Sequence, residues 1–200
     1  MRIIAGRYKG RRLRPVPGDT VRSTSDRAKE SLFNILAGEL AGAWVLDLFC
    51  GAGTLGLEAL SRGAARVVFV DSSRKSLKRA AENAASLGIE SEAVFYGAQA
   101  AVALRTLAYR RLSFSVILAD PPYGEGWAAR TLTAVAESDC RAAEGVLVIE
   151  HHKKDLPGDP PVGFSLWTSR RFGDTVMSLW RWSRGGDHAD RSSSADHGAP

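Results

Sequence analysis

The sequence predicts an α/β protein built on a mostly parallel sheet, and three observations support this. Short apolar segments alternate with amphipathic segments of helical period between residues 43 and 149. The first apolar segment runs directly into a glycine-rich turn, G-A-G-T-L-G at residues 51–56, which a helix follows. The last two strand segments, within residues 165–182, are joined through Gly173 and Asp174 with no helix between them. We therefore expect that pair to be antiparallel at an edge.

The predicted elements follow in order along the chain. A first helix spans residues 27–40, with Ser25 or Asp26 as its cap and an apolar stripe that includes Leu32 and Phe33. Strands are predicted at residues 43–49, 66–70, 93–96, 114–119 and 145–149, with helices near 57–60, 73–87, 100–107 and 127–136. We divide the chain into a basic N-terminal hairpin or arm (1–20), one domain (21–182) and a disordered tail (183–200), whose composition collapses to small and polar residues.

Composition narrows the class of protein. The 200 residues are 44% hydrophobic and 24% charged, as in a soluble globular domain. No apolar run reaches the roughly 20 residues of a membrane span, and the start does not resemble an export signal. Two cysteines, Cys50 and Cys140, cannot build a disulfide framework or a four-thiolate zinc site, and the four histidines are scattered. We expect a cytoplasmic protein that uses no metal.

Basic residues are concentrated at the N-terminus. Residues 1–30 contain nine Lys or Arg against three acids, although the whole chain carries only +5. Such a patch, with an aromatic ring for stacking, suits a nucleic-acid backbone. The predicted nucleic-acid-binding residues are Arg2, Arg7, Tyr8, Lys9, Arg11, Arg12 and Arg14. The alternative is an edge strand whose cations only discourage aggregation.

The glycine turn and the acid after the second strand indicate a nucleoside-like ligand. Gly51 and Gly53 allow the backbone to turn tightly and to approach a ligand ahead of a helix N-terminus. Asp71 follows Gly53 by 18 residues and ends the second strand, where an acid can accept both hydroxyls of a ribose. Its alternative role is to cap the next helix. Asp47, near the end of the first strand, suits a cationic amino group.

The fourth strand ends in a stiff corner, V-I-L-A-D-P-P-Y-G at residues 116–124. Two consecutive prolines cannot continue a sheet ladder, because neither ring nitrogen carries a donor. Asp120, Pro121, Pro122 and Tyr123 therefore present a carboxylate, carbonyl oxygens and an aromatic face, a set that suits an amine on a flat base. The alternative is a strand that simply ends at a proline-rich turn. Because the carboxyl ends of parallel strands meet at one edge, we expect this corner to share a crevice with Asp71.

Four sequence blocks carry a resemblance to a known family. They are R-I-I-A-G (2–6), R-S-T-S-D-R-A-K-E-S-L-F-N-I-L (22–36), D-L-F-C-G-A-G-T-L-G-L-E-A-L-S-R-G-A (47–64) and D-P-P-Y (120–123). The chain resembles the bacterial RsmD-type 16S rRNA (guanine-N2)-methyltransferases over residues 1–182. The resemblance implies a Rossmann-like class I methyltransferase fold, with a mostly parallel seven-stranded sheet and an antiparallel C-terminal edge strand. It also implies methyl transfer from S-adenosylmethionine to a guanine N2 amine of 16S rRNA.

The resemblance also assigns roles to individual residues. It makes Asp120, Pro121, Pro122 and Tyr123 the catalytic corner. The cofactor residues that it implies are Asp47, Phe49, Gly51, Ala52, Gly53, Asp71, Ser72, Gln99, Ala100, Arg22, Thr24 and Arg27. Two positions depart from the family pattern: Ser23 replaces a usual proline, and Gln99 stands where an Asp or Asn commonly contacts adenine.

The expected substrate is 16S rRNA, naked or in a partly assembled 30S subunit, and we expect a monomer.

Three alternative functions remain open from the sequence. A DNA adenine-N6 or cytosine-N4 methyltransferase would use the same proline corner. An NAD(P)-dependent Rossmann oxidoreductase fits the glycine turn but leaves Asp47 and the corner without a role. A non-catalytic RNA-binding module leaves the whole crevice unexplained.

Overall fold

The computed structural model describes residues 1–18 and 25–183 of the chain. In order, the elements are α1 (Asp26–Ile35), β1 (Trp44–Leu48), α2 (Thr54–Ser61), β2 (Arg66–Asp71), α3 (Arg74–Leu87), β3 (Ala93–Gly97), α4 (Ala100–Tyr109), β4 (Phe114–Ala119), α5 (Trp127–Ala136), β5 (Arg141–His152), β6 (Phe164–Phe172) and β7 (Thr175–Ser183). The predicted alternation of strands and helices is confirmed. Of the predicted tail (183–200), Ser183 ends β7, so the strand extends one residue into it; Arg22, Thr24 and residues 184–200 lie outside the described residues.

Seven strands form one mixed sheet in the order β3-β2-β1-β4-β5-β7-β6. The first five strands in this order are parallel, and β7 pairs antiparallel with both β5 and β6. The predicted antiparallel pair is confirmed, with β6 rather than the last strand at the edge. The fifth strand is longer than the predicted 145–149, because β7 pairs with it from Glu144 to His152.

The helices cover the two faces of the sheet separately. Buried residues of α1, α2 and α3 form one hydrophobic core with one face, and those of α4 and α5 form a second core with the other face. The central parallel strands β1, β2 and β4 are therefore buried on both sides, as strands of parallel sheets usually are, while the edge strands β3 and β6 are more exposed. In the described part of the chain, no helix has the length and apolarity needed to cross a membrane.

Helix α1 ends earlier than the sequence predicts. Its last α-helical residue is Ile35, and a short 3₁₀ turn, Ala37–Glu39, follows it. The turn is closed by the Glu39 amide, which donates to the Leu36 carbonyl at 2.8 Å. Gly38 lies in this turn, and glycine is a poor α-helix former, which accounts for the early end. The predicted apolar stripe is nevertheless buried, as Leu36 and Leu40 are completely inaccessible.

The N-terminal segment is packed against the domain. Within residues 1–18, the described part of the predicted hairpin, one isolated antiparallel bridge forms, between Arg2 and Arg12. Backbone hydrogen bonds from Ile3 to the Arg11 carbonyl and from Gly10 to the Ile3 carbonyl complete this turn. Ile3 and Leu13 are buried in the core that also contains α1 and α2. Hydrophobic anchoring therefore holds the predicted arm in place.

One buried carboxylate ties this arm to α2. Glu58 is fully inaccessible and accepts hydrogen bonds from the amides of Ile4 (2.7 Å) and Ala5 (3.0 Å). It also accepts from the Arg62 guanidinium at 2.8 Å and lies 3.7 Å from the Lys29 ammonium. Two backbone amides and two cations thus offset the desolvation of a single buried charge. Burial lowers the pKa of Lys29, while Glu58 opposes that shift.

We expect Glu58→Gln to destabilise the protein by roughly 3 kcal/mol, because removing one partner of a buried ion cluster leaves the others uncompensated. Urea unfolding measures this free energy. The matched control is Glu82→Gln, which breaks the more exposed Glu82–Arg79 pair and should cost no more than about 1 kcal/mol. Equal losses in the two variants would contradict the role assigned to Glu58.

Candidate active site

Four neighbouring strands, β2, β1, β4 and β5, each carry a carboxyl group at or near their carboxyl ends, on the same side of the sheet. The register aligns Val70, Leu48, Ala119 and Ile149 in one row across β2, β1, β4 and β5. The residues that follow this row on three of the strands are Asp71, Asp120 and Glu150, and Asp47 precedes it on β1. Asp71 and Asp120 are two strand spacings apart, or roughly 10 Å. The two acids therefore lie at the same end of the sheet, while the crevice that we expect them to share stays a prediction.

The glycine turn between β1 and α2 is held against Asp71. The Gly51 amide donates to one carboxylate oxygen of Asp71 at 2.9 Å, and the Ser73 amide donates to the other at 2.8 Å. Gly53 precedes the first turn of α2 with φ of 81°, a left-handed value that favours glycine. Each Asp71 oxygen keeps a free lone pair, since a carboxylate has about four acceptor positions. Asp71 can thus shape the turn and still bind a hydroxyl.

Asp47 lies beneath the turn and is almost completely buried. One of its oxygens accepts from the Gly56 amide at 2.9 Å, and a side chain at Gly56 would collide with Phe69 and with this oxygen. Burial raises the pKa of Asp47 to about 7, assisted by the nearby charge of Asp71 and opposed by the Gly56 hydrogen bond. The site therefore contains a carboxyl group that changes charge near neutral pH.

The proline corner lies one strand away from the glycine turn. The Asp120 amide donates to the Leu48 carbonyl at 3.4 Å, which fixes the corner to β1. Asp120 is half-buried, Pro121 is buried, and Pro122 and Tyr123 are exposed. Burial, together with the charges of Glu150 and Asp47, raises the pKa of Asp120 well above its usual range. In the described part of the chain, no Lys or Arg forms an ion pair with Asp47, Asp71 or Asp120.

Glu150 is a site residue that the sequence reasoning missed. It is buried at the end of β5, and one of its oxygens accepts from the Tyr123 hydroxyl at 3.2 Å. The same hydroxyl lies 3.2 Å from that of Thr175 on β7. These contacts fix the tip of the Tyr123 ring, and burial raises the pKa of Tyr123 to about 12. The signal was present in V-L-V-I-E, an apolar strand that ends in an acid, as the strands before Asp71 and Asp120 do.

The other predicted cofactor residues divide into two groups. Phe49, Ala52, Ser72 and Gln99 lie in the loops that follow the strands, and Ala100 begins α4; the Ala98 amide there donates to the Asp71 carbonyl at 3.1 Å. Phe49 packs edge-on against Trp127 with ring centres 6.1 Å apart. Arg27 lies in the first turn of α1 and lines a separate cavity with other residues of that helix. Arg27 therefore stays a prediction, as do Arg22 and Thr24.

The predicted nucleic-acid-binding residues lie on the packed arm. All six cations are exposed, and Tyr8 is half-buried. Arg2 pairs with Asp26 at 2.8 Å, and the Arg7 guanidinium lies 5.2 Å from the centre of the Tyr8 ring. Among the residues described, no cluster of His, Cys, Asp or Glu has the arrangement of a metal site.

Comparison with known proteins identifies the family to which the chain belongs. Residues 1–181 match the family model described as conserved hypothetical protein 95. The chain is 32% identical to the ribosomal RNA small subunit methyltransferase D of Escherichia coli (95% of this chain, 94% of that protein). It is 39% identical to the protein YlbH of Bacillus subtilis (90% and 98%). The solved structure of the Escherichia coli protein yhhF matches with a TM-score of 0.81 at 29% identity (92% and 99%). The chain therefore belongs to the RsmD family of rRNA methyltransferases.

Proposed function

We propose that this protein transfers a methyl group from S-adenosylmethionine to the exocyclic N2 amine of a specific guanine in bacterial 16S rRNA. The observation that carries the proposal is the register that brings Asp71, the glycine turn and the Asp120 corner to one sheet edge. A cofactor bound at Asp71 and a base at Asp120 would then meet across β1. Family membership favours this reaction over DNA methylation and over hydride transfer.

The electrostatics of the crevice support a cationic cofactor. S-adenosylmethionine carries a sulfonium and an ammonium group against one carboxylate. Asp71 and Asp47 accept hydrogen bonds from the glycine turn, Asp120 follows the neighbouring strand β4, and none of the three is paired with a Lys or Arg of the described residues. Asp71 would accept the ribose hydroxyls, and the Asp47 field would stabilise the cationic end. The alternative, an NAD(P)-dependent oxidoreductase, would need to bind a dinucleotide, whose two phosphates these carboxylates would repel.

The proline corner supports the transfer itself. Guanine N2 is a weak nucleophile, because its lone pair is delocalised into the ring. Acceptors at the Asp120 carboxylate and the Pro121 carbonyl, aimed at its two N–H bonds, would favour tetrahedral geometry. Bound S-adenosylmethionine would supply the methyl group to the N2 lone pair, the carbon–sulfur electron pair would stay on sulfur, and the displaced N2 proton would pass to solvent. Because the sulfonium is already activated, alignment supplies much of the remaining rate enhancement.

We infer that the substrate is recognised through the N-terminal arm, whose exposed cations suit a phosphate backbone. We expect a monomeric, cytoplasmic enzyme that acts on 16S rRNA, naked or in a partly assembled 30S subunit. Mapping methylated nucleotides in rRNA from cells with and without the gene tests the function directly. A guanine whose N2 methyl group disappears with the gene supports the proposal, and an unchanged methylation map would refute it.

We expect Asp120→Ala to lower kcat for methyl transfer by about a hundredfold or more, because an interaction made mainly in the transition state is lost. Cofactor affinity, measured by calorimetry, should be retained. Asp159→Ala is the control, since Asp159 is an exposed acid in the loop after β5, and it should retain full turnover. Unchanged turnover in Asp120→Ala would remove Asp120 from the reaction.

We expect the affinity for S-adenosylmethionine to rise with pH up to about 7, where Asp47 ionises. The sign follows because the cation binds the ionised carboxylate, while below this pH Asp47 is protonated in the free protein. The dissociation constant should therefore fall by about tenfold per pH unit at most and then level off. Calorimetry between pH 5.5 and 8.5 measures this dependence. Asp47→Asn should bind more weakly and show a flatter profile; a wild-type profile without slope would contradict the role of Asp47.

We expect Glu150→Gln to shift the acid limb of the kcat profile to lower pH. The charge of Glu150 raises the pKa of Asp120, so removing that charge lets Asp120 ionise earlier. Tyr123→Phe is the matched control, because it loses the hydroxyl contact with Glu150 but keeps the Glu150 charge. A purely structural role for Glu150 predicts lower activity with the acid limb unmoved, and that result would exclude the electrostatic role.

A further inference from the structure

The packed arm runs alongside α3. The Arg11 guanidinium donates to the Ser86 carbonyl at 2.6 Å, near the C-terminal end of this helix. The Asn83 side chain, itself buried, accepts from the Arg14 amide at 2.9 Å and donates to the Arg14 carbonyl at 3.0 Å. Farther along, a Cβ atom built on Gly18 would lie 3.4 Å from the Lys75 ammonium, in the first turn of α3. Arm and helix therefore form one surface.

The first two turns of α3 have an unusual charge distribution. Arg74, Lys75 and Lys78 are exposed, no acidic residue occurs in the first turn, and none of the three has an acidic partner within ion-pair distance among the residues described. Cations at a helix N-terminus are unfavourable, because the unpaired N–H groups there already carry partial positive charge. Arg79 in the same segment is paired with Glu82, so it does not add to the excess. Helix stability does not explain Arg74 and Lys75, which lie in the first turn, and Lys78 extends the same exposed positive surface. An anionic partner accounts for all three.

This basic surface leads to the rim of the crevice. Helix α3 begins three residues after Asp71, and its cap residue Ser73 donates its amide to the Asp71 carboxylate. The cations of α3 therefore lie near the ribose acid, while those of the arm lie farther along the same helix. An extended polyanion that crosses the arm would reach the crevice over the first turns of α3.

We infer that Arg11, Arg12, Arg14, Arg74, Lys75 and Lys78 form one continuous phosphate-binding track, named here the α3 track. It binds the sugar–phosphate backbone of the substrate RNA on the side of the crevice that holds the cofactor. This inference rests on the proposed function, since it takes the substrate to be RNA. The carboxyl groups inside the crevice repel phosphates, so the backbone stays on the track while an uncharged base can enter.

The test compares two triple variants in which three exposed cations become glutamine. The first is Arg74→Gln, Lys75→Gln and Lys78→Gln, in the α3 track. The control is Arg105→Gln, Arg110→Gln and Arg111→Gln, on or directly after α4, which covers the opposite face of the sheet. Both remove the same charge, so they separate a local contact from an effect of net charge. Binding of a 16S rRNA fragment is measured by filter retention between 50 and 300 mM salt, an interval of the kind over which phosphate contacts weaken markedly.

The slope of log affinity against log salt concentration should become shallower by about 2 to 3 in the α3 variant, because each lost phosphate contact contributes roughly 0.7 to 0.9. The control slope should stay close to that of the wild type. Cofactor affinity should be unchanged, and the melting temperature unchanged or higher, because the removed cations are unfavourable at that helix end. An α3 variant with the wild-type slope, or with the same loss as the control, would overturn the inference.

These experiments distinguish failure of the α3 track from failure of the proposed function. If the wild-type protein methylates the rRNA fragment and the α3 variant keeps the wild-type salt slope, the track is wrong and the function stands. If the wild-type protein methylates no rRNA in the mapping experiment, the proposed function fails independently of the track. A lower melting temperature with an unchanged slope would show that these cations serve folding, which also contradicts the track.

Discussion

Burial of carboxyl groups at the carboxyl ends of neighbouring central strands is the constraint on which the site depends. Parallel strands in register carry Asp71, Asp120 and Glu150 to the same row, and Asp47 lies just behind it. Burying carboxyl groups near one another is unfavourable, and burial together with the neighbouring acids raises the pKa values of Asp47 and Asp120. The fold retains this arrangement although it does not stabilise the free protein. A bound cationic ligand would offset the unfavourable burial of these carboxyl groups.

Glu58 shows how the same protein treats a carboxylate with a structural role. It is as deeply buried as Asp47, yet two backbone amides, Arg62 and Lys29 surround it. Asp47 has one amide partner and faces other acids. The contrast separates a carboxylate that assembles the fold from those left available for a ligand. Groups with incomplete compensation in a cleft are the ones expected at functional sites.

Most of the fold was predictable because its signals are local. Strand ends at Asp71 and Asp120 could be located from apolar runs that stop at an acid, and the glycine turn from its spacing. Glu150 ends an apolar run in the same way but was missed, because its role depends on contact with Tyr123 and on the pairing of β5 with β7, which the run alone does not reveal. The arm was predicted as a hairpin, whereas its conformation is set by contacts with Glu58, Ser61 and Asn83, more than fifty residues away.

The distribution of charge also constrains how a substrate could approach. Exposed charges are screened within about 8 Å at physiological salt, so the basic arm cannot simply attract phosphates into an acidic crevice. The basic arm and the acidic carboxyl groups therefore each act only on ligand groups in direct contact with them. Under the proposed function, a polyanion with extrudable bases would satisfy both regions, because its phosphates could stay on the cations while an uncharged base reached Asp120 and Tyr123. A small anionic substrate has no such division and would be excluded by Asp120 and Glu150. The separation of basic and acidic regions would therefore favour a polymeric substrate, which is the form that rRNA has.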